Sequence, residues 1–168
     1  YQRQFSVPSK WKGHRILLHF GAVDWKADVW VNKVKVGQHT GGFTPFSFDI
    51  TPALLNGENE LIVKVWDPTD KGPQPRGKQV SKPGGIWYTP VSGIWQTVWL
   101  EPVPIRSIVN IKTTPDIDRN KLTVEVMTDH QMLSDKLEVK VLEGKQLVAV
   151  GSSVNGIPVE IAMPSDVK

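Results

Sequence analysis

Phe46-Ser47-Phe48-Asp49-Ile50 alternates apolar with polar side chains. Leu61-Ile62-Val63-Lys64-Val65-Trp66 then sets Leu61, Val63 and Val65 on one face and Ile62, Lys64 and Trp66 on the other. A period of two marks strands with one buried face. Upstream, residues 27–31 and 34–37 flank Asn32-Lys33, which reads as a two-residue hairpin turn. Asn tolerates the positive φ such a turn demands, and Lys does so less readily than Gly. Residues 16–20 form an almost continuous apolar run, as for a strand covered on both faces. Downstream, residues 96–101 read as a closing strand. The one stretch with helical signals is Thr51-Pro52-Ala53-Leu54-Leu55, where Thr51 is placed to cap and Pro52 to occupy the first helical position.

Further along the chain the same alternation returns. Leu122, Val124 and Val126 form one apolar face, Leu137, Val139 and Val141 a second, and Val159, Ile161 and Met163 a third. Turn signals at Asp118-Arg119-Asn120, Glu143-Gly144 and Asn155-Gly156 separate the runs. The expected class is all-β, with antiparallel sheets packed as a sandwich, immunoglobulin-like or jelly-roll.

Composition divides the chain in two. All seven Trp, all five Phe and both Tyr lie between Tyr1 and Trp99, and none follows Pro104. Residues 1–103 carry 12 basic and 8 acidic side chains, whereas residues 104–168 carry 8 and 9. Pro102 and Pro104 stiffen the connection. The expected domains are 1–103 and 104–168. The second is short of the ~100 residues an immunoglobulin-type sandwich needs and reads as truncated, or as a smaller all-β unit.

The net charge of +3 comes from mixed charges without a basic run, which speaks against a nucleic-acid partner. No apolar stretch reaches the ~20 residues of a membrane span. Cysteine is absent, so disulfides and thiolate metal sites are excluded. His14, His19, His39 and His130 fall in no tight ligand spacing, and no metal or cofactor is expected.

Several stretches together carry a resemblance. Phe20-Gly21 with Asp24, Val29-Trp30-Val31-Asn32 with Val36-Gly37, and His39 with Gly41-Gly42 ahead of Pro45-Phe46-Ser47-Phe48-Asp49-Ile50-Thr51 come first. Gly57-Glu58-Asn59 leading into Leu61-Ile62-Val63-Lys64-Val65, and the segment from Gly93-Ile94-Trp95 to Leu100-Glu101, follow. In this order and spacing the first 103 residues closely resemble the N-terminal domain of the family 2 glycoside hydrolases, the group of β-galactosidases, β-glucuronidases and β-mannosidases. The resemblance implies a jelly-roll (galactose-binding-like) β-sandwich followed by a partial immunoglobulin-like β-sandwich. It implies the non-catalytic part of a retaining exo-β-glycosidase, with a (β/α) barrel as intramolecular partner and a carbohydrate as substrate of the full-length enzyme. In the family two barrel glutamates act as acid/base and nucleophile, which retaining hydrolysis needs about 5 Å apart. No catalytic residue is assigned here. A periplasmic or secreted location is the expectation for such glycan-degrading enzymes.

The candidate substrate-binding residues lie in the long Gly-, Pro- and Lys-rich loop after Asp67. Trp87 and Tyr88, in Gly84-Gly85-Ile86-Trp87-Tyr88-Thr89-Pro90, offer aromatic faces of the kind that stack on sugar C–H surfaces. Arg76, Lys78 and Gln79 offer hydrogen bonds to hydroxyls or a sugar carboxylate. Several family members carry an acidic residue in this loop that touches the sugar, but here no carboxylate stands between Asp70 and Glu101. Asp24 is expected to bond the backbone of its own turn, His39 to be structural, and Trp30, Trp66 and Trp99 to pack in or on the sheets. Two other functions fit the pattern: a stand-alone carbohydrate-binding module using Trp87, Tyr88 and Trp95, and a structural interaction domain.

Overall fold

A computed structural model describes residues 1–129 and 134–165; His130 lies outside the described residues. The backbone is almost entirely antiparallel strand, and it separates into two compact units, Tyr1–Pro104 and Ile105–Lys168.

The first unit contains β1 (Gln2–Ser6), β2 (Arg15–Phe20), β3 (Val23–Asp24), β4 (Lys26–Val31), β5 (Val34–Thr40), β6 (Phe46–Asp49), β7 (Glu58–Trp66), β8 (Gly93–Ile94) and β9 (Val98–Val103). One sheet has the order β1-β7-β4-β5 and the other β6-β2-β9, while β3 and β8 form a short rim pair. Ile16, Leu18 and Phe20 of β2, Ala27, Val29 and Val31 of β4, and Val63 of β7 meet in one buried cluster, so the two sheets share a core. Phe46, Phe48, Leu61 and Val65 pack against it, on the faces their alternation assigns them. Each such side chain contributes on the order of 1.5–3 kcal/mol by leaving water.

The hairpin joining β4 to β5 turns on Asn32 (φ 48°) and Lys33 (φ 69°), with Val31 opposite Val34. Asn32 does more than permit the turn. Its Nδ2 donates to Ala53 O at 2.8 Å and to Asn59 Oδ1 at 2.7 Å, and its Oδ1 accepts from Glu60 N at 2.9 Å. Asn59, only 1% exposed, also accepts from Leu55 N and donates to Gly57 O. Two asparagines thus tie the hairpin, the bend after β6 and the start of β7 together.

Three expectations are corrected in this unit. The run at residues 16–20 is buried on alternate positions only: Arg15, Leu17 and His19 form a half-buried outer face. There cross-strand neighbours shield β2, with His19 stacked on Trp99 at 4.8 Å and bonded to Ser47. The closing strand begins at Val98, and it continues through Pro102 because β9 is an outer strand that pairs only with β2. Finally, Thr51–Ala53 is a single 3-10 turn in which Ile50, not Thr51, holds the cap position. The Thr51 hydroxyl accepts from Ile16 N at 2.7 Å and donates to Asp49 Oδ1 instead.

The second unit contains β10 (Ile108–Asp116), β11 (Lys121–Thr128), β12 (Lys136–Glu143), β13 (Gln146–Val154) and β14 (Val159–Ala162). These form a sheet β10-β11-β14 and a hairpin β12-β13. Val124, Val159 and Ile161 are buried, with Leu122, Val126, Leu137, Val139, Val141 and Met163 packed on them. Asn120, Gly144 and Gly156 take positive φ at the anticipated turns. Strands β1, β3, β10 and β13 had no counterpart in the sequence reading. β10 carries Pro115 and stays exposed on both faces to its last residue, so no alternation announces it.

Candidate functional site

The chain between β7 and β8 is a long loop that builds itself from local hydrogen bonds. Asp67 Oδ1 accepts from Thr69 N at 2.8 Å, starting the loop as an Asx turn. Gln74, one of three buried polar side chains among the described residues, donates to Thr69 O. The Asp70 carboxylate crosses the loop to accept from Ser81 N at 3.0 Å and Ser81 Oγ at 2.6 Å. These two donors, hydroxyl first, hold its pKa below the ordinary carboxylate value. Tyr88 N donates to Lys78 O and Val80 N to Tyr88 O, so Gln79 and Tyr88 form a short parallel bridge. Trp87 N returns to Gly84 O across Gly85, whose φ of 58° suits glycine.

The five anticipated residues are divided by this arrangement. Trp87 is 41% exposed and lines a shallow depression with Asp70, Lys71, Val80, Ser81 and Lys82. Tyr88 is 63% exposed, with Lys78 Nζ 5.9 Å from its ring centre, a cation–π contact. The Arg76 guanidinium is already engaged, donating to Asp70 O at 3.0 Å. Gln79 faces elsewhere. Its Oε1 accepts from Val91 N at 2.6 Å, and its side chain lines a second cavity with Asp24, Phe43, Val91, Ser92, Gly93 and Trp95.

That second cavity assembles residues that sequence reasoning left apart. Trp95 was noted, but Phe43 and Ser92 were not, and nothing in their local pattern marks them. They converge because β3 pairs with β8, Asp24 opposite Gly93, which brings the Gly41-Gly42-Phe43 bend and the end of the loop together. The Trp95 indole N–H donates to Gly42 O at 2.7 Å, and its ring meets Phe43 edge-on at 5.9 Å. The Asp24 carboxylate packs over Gly42: a Cβ there would lie 2.8 Å from Asp24 Oδ1, so a larger residue would have to displace that carboxylate.

Asp24 corrects an expectation. Its peptide groups belong to a rim strand rather than a turn, and among the described residues no hydrogen bond or ion pair engages its carboxylate. Burial first, and repulsion from Asp67 second, raise its pKa above the ordinary value. His39, by contrast, is structural as anticipated: it stacks on Phe46 at 4.2 Å and bonds Thr44 Oγ1. Trp66 and Trp99 stand on outer sheet faces, 57% and 43% exposed. Among the described residues no group of three His, Asp or Glu side chains is arranged to hold a metal, and no helix is long and apolar enough to cross a membrane.

The first unit is a two-sheet antiparallel β-sandwich with a long loop between β7 and β8 at its rim. Residues 1–104 match the family described as glycosyl hydrolases family 2, sugar binding domain. The chain belongs to the family 2 glycosyl hydrolases. A β-galactosidase of Thermoanaerobacter pseudethanolicus is 38% identical over 103 residues, 60% of this chain and 13% of that protein. The β-glucuronidase of Canis lupus familiaris is 29% identical across 93% of this chain and 27% of its own length. Among solved structures, the Lactobacillus rhamnosus β-glucuronidase superposes with a TM-score of 0.76 at 28% identity, over 98% of this chain and 29% of that one. The chain therefore spans less than a third of each of these proteins.

Proposed function

We propose that the chain is the non-catalytic portion of a retaining exo-β-glycosidase, with a β-galactosidase-like action on O-glycosidic bonds. In this reading residues 1–103 brace a (β/α) barrel that carries the two catalytic glutamates, and residues 104–168 open an immunoglobulin-like sandwich. The described residues form strands and two single 3-10 turns, with no barrel of alternating strands and helices among them. The observation that carries the proposal is the family match over residues 1–104.

Within that enzyme the exposed Trp87 and Tyr88 faces, with Lys78 and Arg76 on the same loop, form one wall of the substrate pocket, while Gln79 turns to the second cavity. Two assays test this. The 168-residue chain should not hydrolyse p-nitrophenyl β-galactoside or β-glucuronide; turnover that survives repurification overturns the proposal. In the enzyme that carries this chain, Trp87→Ala should raise KM several-fold and leave kcat nearly unchanged, as loss of uniform substrate binding does.

A further inference from the structure

Two asparagines are followed by glycine, in Asn56-Gly57 and Asn155-Gly156. This dipeptide readily loses ammonia, because a glycine nitrogen has no side chain beside it to screen it and its backbone bends freely. The fold treats the two pairs in opposite ways. Asn155 is 3% exposed, its side-chain NH₂ donates to Thr128 Oγ1 at 2.9 Å, and its main-chain N–H donates to Asp135 O at 2.8 Å. Asn56 stands exposed in the bend between the 3-10 turn at Thr51–Ala53 and β7. Among the described residues nothing bonds its carboxamide, and nothing accepts from the Gly57 N–H.

We propose that Asn56 is a site of spontaneous deamidation, and that its isoaspartate product loosens the asparagine network at the start of β7. The step needs only water. The Gly57 backbone nitrogen gives up its proton and attacks Asn56 Cγ, forming an N–Cγ bond. The Cγ–Nδ2 bond breaks, and Nδ2 takes up a proton and leaves as ammonia. The resulting five-membered succinimide then adds one water. Opening at the side-chain carbonyl gives aspartate; opening at the main-chain carbonyl gives isoaspartate, in which the backbone runs through Cβ and Cγ.

Two further observations bear on this. Gly57 has a φ of 94°, and a Cβ there would meet no atom within 4 Å. The turn therefore demands glycine at the position that speeds the reaction, and the space about it is open. The second observation is what lies astride the reacting bond. Asn59 Nδ2 donates to Leu55 O at 3.3 Å and to Gly57 O at 3.0 Å, while Leu55 N donates to Asn59 Oδ1 at 2.8 Å. One buried side chain thus spans residues 55–57. Isoaspartate lengthens the main chain by a carbon between the two carbonyls, so Asn59 cannot hold both, and a buried amide loses a partner. Asn32, which donates to Asn59 Oδ1, is disturbed with it. None of this depends on the chain serving a glycosidase.

The test is ageing of the 168-residue chain at mildly alkaline pH and physiological temperature, followed by tryptic digestion and mass spectrometry. Residues 36–64 and 146–168 fall in separate peptides, each with one Asn-Gly pair. The first peptide should gain the mass that replacing an amide by an acid adds, with isoaspartate located at position 56 by electron-transfer fragmentation. Its rate should exceed that of the second by about tenfold or more, because a held carboxamide does not reach the geometry of attack. In concentrated urea the two rates should converge. The aged chain should unfold at a lower urea concentration than the fresh one. Asn56→Gln, whose longer side chain cyclises slowly, should keep its midpoint on ageing. Freshly prepared Asn56→Asp should match the unaltered chain, since it adds the charge without the extra carbon. Equal rates for the two peptides in the folded chain overturn the proposal. So does a position 56 that stays unmodified, or a fresh Asn56→Asp as destabilised as the aged chain.

Discussion

In the sandwich of the first unit, Phe20, Val29 and Val31 are fully buried and Val63 is 2% exposed; in the long loop after β7, Ile86, Trp87 and Tyr88 stand at 67%, 41% and 63%. The sheets are stabilised by apolar surface withdrawn from water. The loop is ordered by a set of short polar contacts: Asp67 with Thr69, Asp70 with Ser81, Gln79 with Val91. Packing of the first sort constrains nearly every residue that takes part in it, because cores are close-packed. Ordering of the second sort constrains only the few that bond, and leaves the aromatic ones exposed. Large apolar side chains therefore mean opposite things in the two regions.

Four substitutions would break or sharpen that contrast. All seven Trp lie within the first unit, so tryptophan fluorescence during urea unfolding follows it alone. The largest effect is expected from Phe20→Ala, a fully buried ring stacked on Phe46 at 4.7 Å, at about 3–5 kcal/mol of destabilisation. Asn59→Ala should cost roughly 2–3 kcal/mol in the same experiment, because it strands Leu55 N and the Asn32 amide without their acceptor. A smaller loss from Asn59→Ala than from an exposed loop substitution would contradict the division drawn here.

The third acts on the loop. The folded-state pKa of Asp70 lies below its unfolded value, so its contribution is present above the ordinary carboxylate pKa and is lost as pH falls through the lowered one. Asp70→Asn should reduce the hydrogen-exchange protection of Ser81 N–H at neutral pH, and acidification should do so in the unaltered protein. Global stability should hardly move in either case. The smallest effect belongs to Trp87→Ala, expected to stay within about 0.5 kcal/mol despite the size of the side chain, since it packs into neither buried cluster.

What the sequence disclosed follows the same division. Where burial is periodic, as at Phe46 and Phe48 or Leu61 and Val63, the strands and their inner faces were legible directly. The hairpin at Asn32-Lys33 was legible from turn chemistry, although the long-range role of Asn32 was not, since its partners are Ala53 and Asn59. β10 escaped because both its faces are exposed, and the closing strand was misplaced because Pro102 looks like a terminator away from its outer-strand context. Of the site, exposed aromatics in a Gly- and Pro-rich loop could be singled out one at a time. Which of them share a cavity could not, because the grouping of Gln79, Trp95, Phe43 and Asp24 is set by the pairing of β3 with β8.

The prolines of the outer strands have a bearing on how the protein behaves in concentrated solution. Pro102 lies in β9 and Pro115 in β10, each the last strand of its sheet. An unpaired strand edge is a template on which another chain can extend a sheet, the first step toward fibrous aggregates. A residue without an N–H interrupts the row of donors such growth requires. β10 has the greater need of this protection, because Ile108, Val109 and Ile111 all stand exposed along it.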